Sequence, residues 1–336
     1  MDKLAQIIID DAKSSIKGVD FSQLKNKNVL ITGASGLVGT YLLAGLLKTG
    51  VKVYAVCQSK PEKYWEEISK GANATVIGGD LCDDDFVNKL PKADIIIHAG
   101  GYGQPGKFME NPLKTIKMNT AVTLKLFDKL NNSGKFLFMS TSEVYSGLSK
   151  PPFKETEIGT TNTDHPRSCY IEAKRCGEAI VSTLRSSGVD AKSVRLSLAY
   201  GPGTKKDDKR VLNSFIGRAL TEKKINMMDD GSALRTYCYI TDAVWMMWKI
   251  LLEGKDNIYN VGGISRTTIA DLAKLIGKNL KVPVNIPKSE KQALVGAPED
   301  VSLNLDKVKN EFGKKDFVSL EVGVKKTIEW QKVLYK

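Results

Sequence analysis

A glycine-rich turn at residues 32–39 constrains the fold of this chain more than any other feature, because it joins an apolar run to a helix-like stretch. In such a strand, turn and helix, Gly33 permits the tight turn, Gly36 lets a ligand approach the backbone, and Gly39 lets the helix pack closely. The N-terminus of the helix then faces the negative charge of a phosphate. We therefore predict a dinucleotide phosphate site formed by Gly33, Ser35, Gly36, Leu37, Val38 and Gly39.

Apolar, strand-like segments alternate with helical stretches over most of the chain, and this alternation predicts an α/β fold. The expected architecture is a Rossmann-type doubly wound parallel sheet. Residues 1–18 carry apolar side chains at roughly helical spacing, which predicts an extra N-terminal amphipathic helix packed on the body or on a partner. Strands are expected near residues 28–32, 52–57, 74–78, 94–98, 135–140, 192–198 and 257–261.

Tyr170 and Lys174 are separated by four residues, so a helix would place the phenol and the ammonium on one face. A free tyrosine has a pKa of about 10 and is a poor base near neutral pH unless positive charge stabilises the phenolate. Lys174 can supply that charge. Taken alone, this spacing more often belongs to an ordinary exposed helical pair, but the glycine turn and the hydroxyl-rich segment at residues 140–145 favour a base and the group that tunes it.

Hydroxyl and carboxylate side chains follow the apolar run at residues 136–139. They are Thr141, Ser142 and Glu143. Open α/β sheets bind ligands at the carboxyl ends of their strands, so we expect these three side chains at that edge. The alternative for this segment by itself is a polar loop that caps the next helix.

With these motifs in this order, the chain resembles the extended short-chain dehydrogenase/reductase family over roughly residues 27–330. The resemblance is to its nucleotide-sugar epimerases, dehydratases and decarboxylases. It implies that Thr141, Tyr170 and Lys174 act together, with Tyr170 taking the proton of the sugar O4 while hydride passes to NAD. It also implies a second chemical step for Glu143, because members that do more than epimerise carry a glutamate at this position, and Ser142 would assist it.

Four segments are similar to the UDP-glucuronate decarboxylase branch of this family: residues 140–145, 166–175, 111–120 and 210–216. The resemblance therefore implies loss of carbon dioxide from a sugar acid after its oxidation at C4. Two alternatives stay open. One is a 4,6-dehydratase or 4-epimerase acting on another nucleotide sugar, and the other is a non-catalytic NAD(P)-binding regulator, which would have no need of the proton-transfer residues.

The resemblance also divides the chain into two parts. The NAD-binding Rossmann domain would comprise residues 1–197 and 238–262, and the smaller C-terminal nucleotide-sugar-binding domain would comprise residues 198–237 and 263–336. It suggests in addition a homodimer joined through the helices that begin near Lys107 and Tyr170.

Further cofactor contacts are implied at strand ends. Asp80 matches the family position that pairs with the adenine amino group, and the small residues Ala99 and Gly100 leave room for the cofactor. We expect His98 to be a packed or hydrogen-bonded histidine and not a catalyst. The cofactor contacts added by the resemblance are Gln58, Asp80, Leu81, Ala99, Gly100, Asn119, Tyr170 and Lys174.

The second strand departs from the usual pattern, because it ends in Cys57, Gln58, Ser59 and Lys60 and lacks the acid that binds the ribose of NAD. NAD is still expected, since the implied chemistry recycles a tightly held cofactor and Lys60 lacks the planar fork that best suits a phosphate. NADP stays open as an alternative.

The resemblance implies substrate contacts at two arginines, Arg210 and Arg235, whose guanidinium groups suit a phosphate or a carboxylate. Either arginine can equally be a surface ion-pair partner. Leu198 is a second departure, because many relatives have an asparagine there that contacts the substrate. The sugar or its pose is therefore expected to differ.

Composition excludes several classes of function. A net charge of +12 comes from scattered lysines without a basic, aromatic stripe, so no nucleic-acid partner is expected, and a positive field suits an anionic sugar nucleotide. No apolar run approaches the roughly 20 residues that span a bilayer, and no signal-peptide pattern is present, so a cytoplasmic location without membrane contact is predicted. Five cysteines form no CxxC pair, and two histidines without ligand spacing predict no metal site.

Overall fold

The computed structural model describes residues 1–287 and 300–336. Within these residues the strands are β1 Asn28–Thr32, β2 Lys52–Cys57, β3 Ala74–Gly78, β4 Ala93–His98, β5 Leu130–Thr141, β6 Asp190–Leu196, β7 Ala199–Tyr200, β8 Ile225–Asn226, β9 Leu234–Tyr239, β10 Ile258–Val261, β11 Ser265–Thr268, β12 Val284–Asn285 and β13 Asp300–Val301. Each strand predicted from the sequence is present. The segment expected near residues 192–198 begins and ends two residues earlier, so Leu198 lies just after β6.

The α-helices in the same residues alternate with the strands of the first half. They are α1 Lys3–Ala12, α2 Leu37–Gly45, α3 Lys63–Gly71, α4 Asp84–Asn88, α5 Pro105–Glu110, α6 Pro112–Asn119, α7 Ala121–Phe127, α8 Ser168–Ser186, α9 Val211–Thr221, α10 Ile240–Glu253, α11 Ile269–Leu280, α12 Asp306–Phe312 and α13 Leu320–Leu334. Among the described residues, no helix is long and apolar enough to cross a membrane.

Seven parallel strands form the main sheet in the order β10-β6-β5-β4-β1-β2-β3. The order reverses direction between β1 and β4, which is the switch point at which open α/β sheets bind ligands. The predicted α/β fold with a Rossmann-type doubly wound sheet is therefore confirmed.

Alternating residues of the central strands supply the cores on the two sides of the main sheet. In β1, Val29 and Ile31 join one apolar cluster and Leu30 joins the other. In β4, Ile97 and Ile96 divide in the same way. Because both faces are covered, these strands read in the sequence as continuous apolar runs.

Smaller sheets lie in the second half of the chain. β9 pairs with β7, β11 and β13, and β8 pairs with β12. The boundary predicted between residues 237 and 238 falls inside β9. Residues 288–299 of the predicted smaller domain lie outside the described residues.

The N-terminal helix packs on the body of the protein. Asp2 caps α1, and Ile8 on its buried face belongs to the main apolar cluster. Asp11 accepts hydrogen bonds from the hydroxyls of Tyr41 in α2 and Tyr239 in β9, at 2.9 and 2.6 Å, and from Lys326 in α13. The predicted extra helix is confirmed, and its buried carboxylate connects both halves of the chain.

Candidate active site

The glycine turn has the backbone geometry that its sequence predicts. Gly33 has a φ of +65°, and a Cβ there would lie 2.7 Å from the carbonyl oxygen of Ala99. A Cβ at Gly39 would lie 2.3 Å from the carbonyl oxygen of Gly33. Gly36 is the N-cap of α2 and offers no side chain to cap it, so the first-turn N–H groups face outward for an anion.

The end of β2 lacks a carboxylate, as the sequence indicates. Cys57 is buried and hydrogen-bonded to Ser35 of the glycine turn, and burial raises the pKa of its thiol. The charge of Lys205 opposes this shift, which places that lysine near the same strand end, while Gln58 and Lys60 are exposed.

Asp80 follows β3 and has partners within the protein. Its carboxylate accepts the N–H of Cys82 at 3.0 Å and pairs with Lys114 of α6 at 2.5 Å. The pKa of Asp80 is lowered by these contacts although burial opposes them. Leu81 beside it is buried in the apolar cluster. An adenine contact of Asp80 stays a prediction and would share the carboxylate with Lys114.

Tyr170 lies in the first turn of α8, and the hydroxyl of Thr141 at the end of β5 is hydrogen-bonded to its phenol. Burial raises the pKa of Tyr170 to about 12; the hydrogen bond and the guanidinium groups of Arg167 and Arg210 act against this rise, while Glu143 adds to it. Near neutral pH the phenol is therefore protonated in this structure. The phenolate expected from the sequence stays a prediction for the protein with bound cofactor.

Lys174 follows Tyr170 by one helical turn and is also buried. Its Nζ donates to the carbonyl of Met139 at 2.5 Å and lies 5.8 Å from the centre of the Tyr170 ring. Burial lowers the pKa of Lys174 to about 7, and the charge of Glu178 opposes this shift. Burial thus disfavours each charge separately, whereas an ammonium near a phenolate would favour both.

Glu143 and Arg167 form an ion pair beside the tyrosine, with a very short contact between Arg167 Nη2 and Glu143 Oε1. The second carboxylate oxygen, Oε2, and Arg167 Nε are buried and have no hydrogen-bond partner among the described residues. Burial raises the pKa of Glu143, while Arg167, Arg235 and His165 oppose the rise. Ser142 precedes Glu143 in the short 3₁₀ turn Ser142–Tyr145.

The two predicted substrate arginines lie near this group. Arg235 in β9 is close enough to Glu143 and Arg167 for their charges to act on its pKa, which burial lowers. Arg210 acts on Tyr170 and Tyr237, and its guanidinium is held by Asp208, with Nε 3.0 Å from both carboxylate oxygens. The fold therefore brings together residues that are far apart in the sequence.

His98 has the structural role expected for it. Thr32 Oγ1 lies 2.8 Å from Nδ1, and Nε2 lies 3.0 Å from the carbonyl of Met118. Burial lowers the pKa of His98 to about 4. Thr32 also accepts the N–H of Gly100, so the imidazole helps to fix the loop that carries Ala99 and Gly100.

Asn119 ends α6 and is buried against α8. Its side-chain N–H donates to the carbonyl of Thr115 at 2.8 Å, while Oδ1 is buried without a hydrogen-bond partner among the described residues. An unpaired buried acceptor is costly unless a ligand satisfies it. The position therefore suits the supporting role that the resemblance implies.

Three residues of the site were not predicted from the sequence. Arg167 pairs with Glu143, Asp208 holds Arg210, and the ring of Phe108 stacks on Tyr170. Arg167 lies within the segment 166–175 and Asp208 just before the segment 210–216, but their pairing depends on tertiary structure. Phe108 carried no signal. In the described residues, no cluster of His, Cys, Asp or Glu could hold a metal ion.

Fold and site together define a Rossmann-class protein with a tyrosine and a lysine at the ligand-binding edge of the sheet. The sequence profile described as "NAD dependent epimerase/dehydratase family" matches residues 29–262. The chain belongs to this family, whose members are nucleotide-sugar enzymes.

Individual relatives differ in their named activities. UDP-glucuronic acid decarboxylase 1 of Danio rerio is 29% identical over 92% of this chain and 73% of its own length. The structure of UDP-glucose 4-epimerase from Thermotoga maritima with UDP-glucose is 26% identical, with a TM-score of 0.79 over 92% of this chain and 100% of that one. The Bordetella bronchiseptica enzyme WbmF in complex with NAD⁺ is 26% identical, with a TM-score of 0.74 over 93% and 94%.

Proposed function

We propose that this protein is a UDP-glucuronate decarboxylase that transiently oxidises C4 of the sugar with bound NAD. One observation carries the proposal. Beside the phenol of Tyr170, the single carboxylate of Glu143 is accompanied by two guanidinium groups, those of Arg167 and Arg235. A guanidinium suits a carboxylate, so the arginines beside Tyr170 and Glu143 support a sugar acid over a neutral sugar.

The residues around the glycine turn fit NAD. Three features support a dinucleotide site here. The turn at Gly33 has no space for a Cβ, the N-terminus of α2 has no side-chain cap, and Oδ1 of Asn119 is buried without a hydrogen-bond partner among the described residues. NAD, when bound, would supply positive charge and a hydride acceptor: it would take the hydride of C4 and return it to C4 after carbon dioxide has left. Asp80, Leu81, Ala99 and Gln58 would complete the contacts.

A matched pair of glycine variants tests this cofactor site. Gly36→Ala adds a methyl group 3.2 Å from the Gly33 carbonyl, so the fold should survive while the approach of the pyrophosphate is blocked. Gly39→Ala places a Cβ at 2.3 Å and should disrupt the turn itself. We expect calorimetry to show loss of NAD binding with an unchanged melting temperature for Gly36→Ala only. Undiminished NAD binding in Gly36→Ala, or tighter binding of NADP by the wild type, would contradict the assignment.

We assign a side chain to each chemical step. Tyr170 takes the O4 proton, aided by the charge of Lys174, and Thr141 hydrogen-bonds the same oxygen. Once C4 is a ketone, the C5 carboxylate belongs to a β-keto acid. The C5–C6 bond then breaks, carbon dioxide leaves, and its electron pair is delocalised onto O4. Glu143, with Ser142, orients the carboxylate and manages the proton that C5 gains. Arg210 and Arg235 hold the diphosphate or the acid group.

A 4-epimerase or 4,6-dehydratase is the second candidate, favoured by the structural similarity to UDP-glucose 4-epimerase and by the shared oxidation step. A panel of UDP-glucuronate, UDP-glucose and dTDP-glucose, followed by mass spectrometry of the products, separates these functions. We expect UDP-glucuronate to lose carbon dioxide. Loss of water from a neutral substrate would establish the dehydratase, and a C4 epimer of unchanged mass would establish the epimerase.

We also propose a homodimer through the helices that begin near Lys107 and Tyr170, which are α5, with the adjoining α6, and α8. Leu113 is 81% exposed, and Met109, Ile116 and Leu124 near it are exposed as well. Light scattering should give a dimer for the wild type and a monomer for Leu113→Glu. Ile264→Glu, at another exposed apolar position, should leave the dimer unchanged. A monomeric wild type would exclude this interface.

A further inference from the structure

The aromatic ring of Phe108 contacts two residues of the site. Its centroid lies 4.4 Å from that of Tyr170, and the two planes are within 3° of parallel. The guanidinium carbon of Arg167 lies 5.6 Å from the centre of the same ring, within the range of a cation–π contact. Because Arg167 also pairs with Glu143, Phe108 connects the phenol with the carboxylate.

The backbone of Phe108 is held firmly. Its N–H donates to the carbonyl of Gln104 at 3.1 Å, and its carbonyl accepts from the hydroxyl of Thr115 at 3.4 Å and the thiol of Cys169 at 3.7 Å. The side chain is only 1% exposed. A buried ring on a fixed backbone provides a rigid surface for Tyr170.

Phe108 is buried but lies outside the two large apolar clusters that the described residues form on the two faces of the main sheet. Two contacts hold α5 independently of the ring: Lys107 pairs with Asp207 at 3.0 Å, and the side chain of Gln104 accepts the N–H of Lys209 at 3.4 Å. Truncating the ring should therefore affect the site more than the fold.

We infer that Phe108 is a positioning residue, which fixes the plane of the Tyr170 phenol and the position of Arg167. The phenol and the Glu143 carboxylate can then contact the same bound sugar. The inference rests on the proposed function for its effect on catalysis. A displacement of about 1 Å in a reacting group can lower a rate about a hundredfold. Phe108 itself transfers no proton and acts only through Tyr170 and Arg167.

The kinetic test compares Phe108→Leu, which removes the aromatic surface, with Phe108→Tyr, which keeps it. We expect Phe108→Leu to lower kcat about tenfold to a hundredfold, with KM and NAD affinity within about threefold of wild type. The limb of the pH–rate profile that belongs to Tyr170 should shift. Phe108→Tyr should retain kcat within about threefold. Phe21→Leu, which removes an edge contact with Trp248, serves as the control and should leave kcat unchanged.

A second measurement does not depend on turnover. With tyrosine labelled in the ring, NMR should show slow ring flipping of Tyr170 in the wild type and in Phe108→Tyr, and faster flipping in Phe108→Leu. The inference is overturned if flipping is the same in all three proteins, or if folded Phe108→Leu keeps the kcat of the wild type. If the wild type turns over no sugar nucleotide, the proposed function fails, and the ring-flip comparison still decides the role of Phe108.

Discussion

Lys174 and Glu178 are buried one turn apart on α8, and they differ in their partners: in the part of the chain that the structure describes, Glu178 is ion-paired, whereas Lys174 is not. Lys174 has a carbonyl as its hydrogen-bond acceptor, makes no ion pair among the described residues, and has a pKa lowered to about 7. Glu178 is paired with the guanidinium of Arg195 through Nε at 3.0 Å and Nη2 at 2.8 Å. One charge is left responsive to its surroundings, whereas the other is neutralised within the protein.

A hydrogen-bond network around Arg195 holds the strands and helix beneath the site in fixed positions. Besides Glu178, Arg195 donates to the hydroxyl of Tyr145 at 2.8 Å and to the carbonyls of Glu155 and Glu157. Tyr145 in turn donates to Asn260 in β10. These bonds join β6, α8, β10 and the segment after β5, so the carboxyl edge of the sheet is held in place. A responsive lysine is useful only where its distance to the phenol is fixed.

The largest expected effect comes from substituting Tyr170, the partner of the responsive Lys174. Tyr170→Phe removes the proton acceptor but keeps the ring that stacks on Phe108, so folding and NAD binding should persist. We expect kcat to fall about 10²- to 10⁴-fold, the typical contribution of a general acid or base. Steady-state kinetics with UDP-glucuronate measures this. Activity within tenfold of wild type would show that another group removes the proton.

Breaking the ion pair between Glu178 and Arg195 should instead lower the stability of the fold. Arg195→Met leaves the Glu178 carboxylate buried without its counter-ion, which typically costs about 3–5 kcal/mol in the free energy of unfolding. Chemical denaturation measures the loss. The control is Lys274→Met, which removes an exposed pair with Asp271 and should change little. Equal stability of the two variants would mean that the Arg195 network is not structural.

Glu143→Gln separates the two chemical steps of the site, because oxidation at C4 should persist and the decarboxylation that follows should be impaired. We expect overall kcat to fall about tenfold to a hundredfold, as for the loss of a hydrogen bond to a charged group, with reduced cofactor accumulating. Absorbance of the reduced nicotinamide follows this directly. Glu172→Gln, which alters a partly exposed pair with Arg175, is the control. Normal product release in Glu143→Gln would remove Glu143 from the mechanism.

The last expected effect concerns stability alone and is the pH dependence at Lys174. Its folded pKa of about 7 lies below its ordinary value of 10.5, so between these pH values the native protein binds fewer protons than the unfolded chain, and stability rises with pH. Below pH 7 the full cost of burying the ammonium is present. Denaturation of the cofactor-free protein should therefore show wild type gaining stability relative to Lys174→Met as pH rises from about 6.5 to about 9.5. A constant or falling difference would contradict the lowered pKa.

Local patterns predicted the fold and the geometry of the glycine turn. The strands, the turn conformation of Gly33 and Gly39, and the N-terminal helix all depend on short stretches of sequence, and the structure contains them. The resemblance to the family implies that Thr141 and Tyr170 act together, and the structure joins the two side chains by a hydrogen bond.

Pairings between distant residues were not predictable in this way. Nothing in the sequence indicates that Arg167 reaches Glu143, that Lys114 occupies Asp80, or that Phe108 stacks on Tyr170. Each contact depends on how α5, α6 and α8 pack, which periodicity does not fix. Burial likewise decides the protonation state of Tyr170, and burial of a single side chain is a property of the whole fold.

Transient reduction of bound NAD tests the central claim most directly. The purified protein is mixed rapidly with UDP-glucuronate, and nicotinamide fluorescence is recorded while carbon dioxide is trapped. The account predicts a rise and fall of the fluorescence in the wild type, with release of carbon dioxide, and neither signal in Tyr170→Phe. Release of carbon dioxide without any reduced cofactor, or an unchanged signal in Tyr170→Phe, would contradict it.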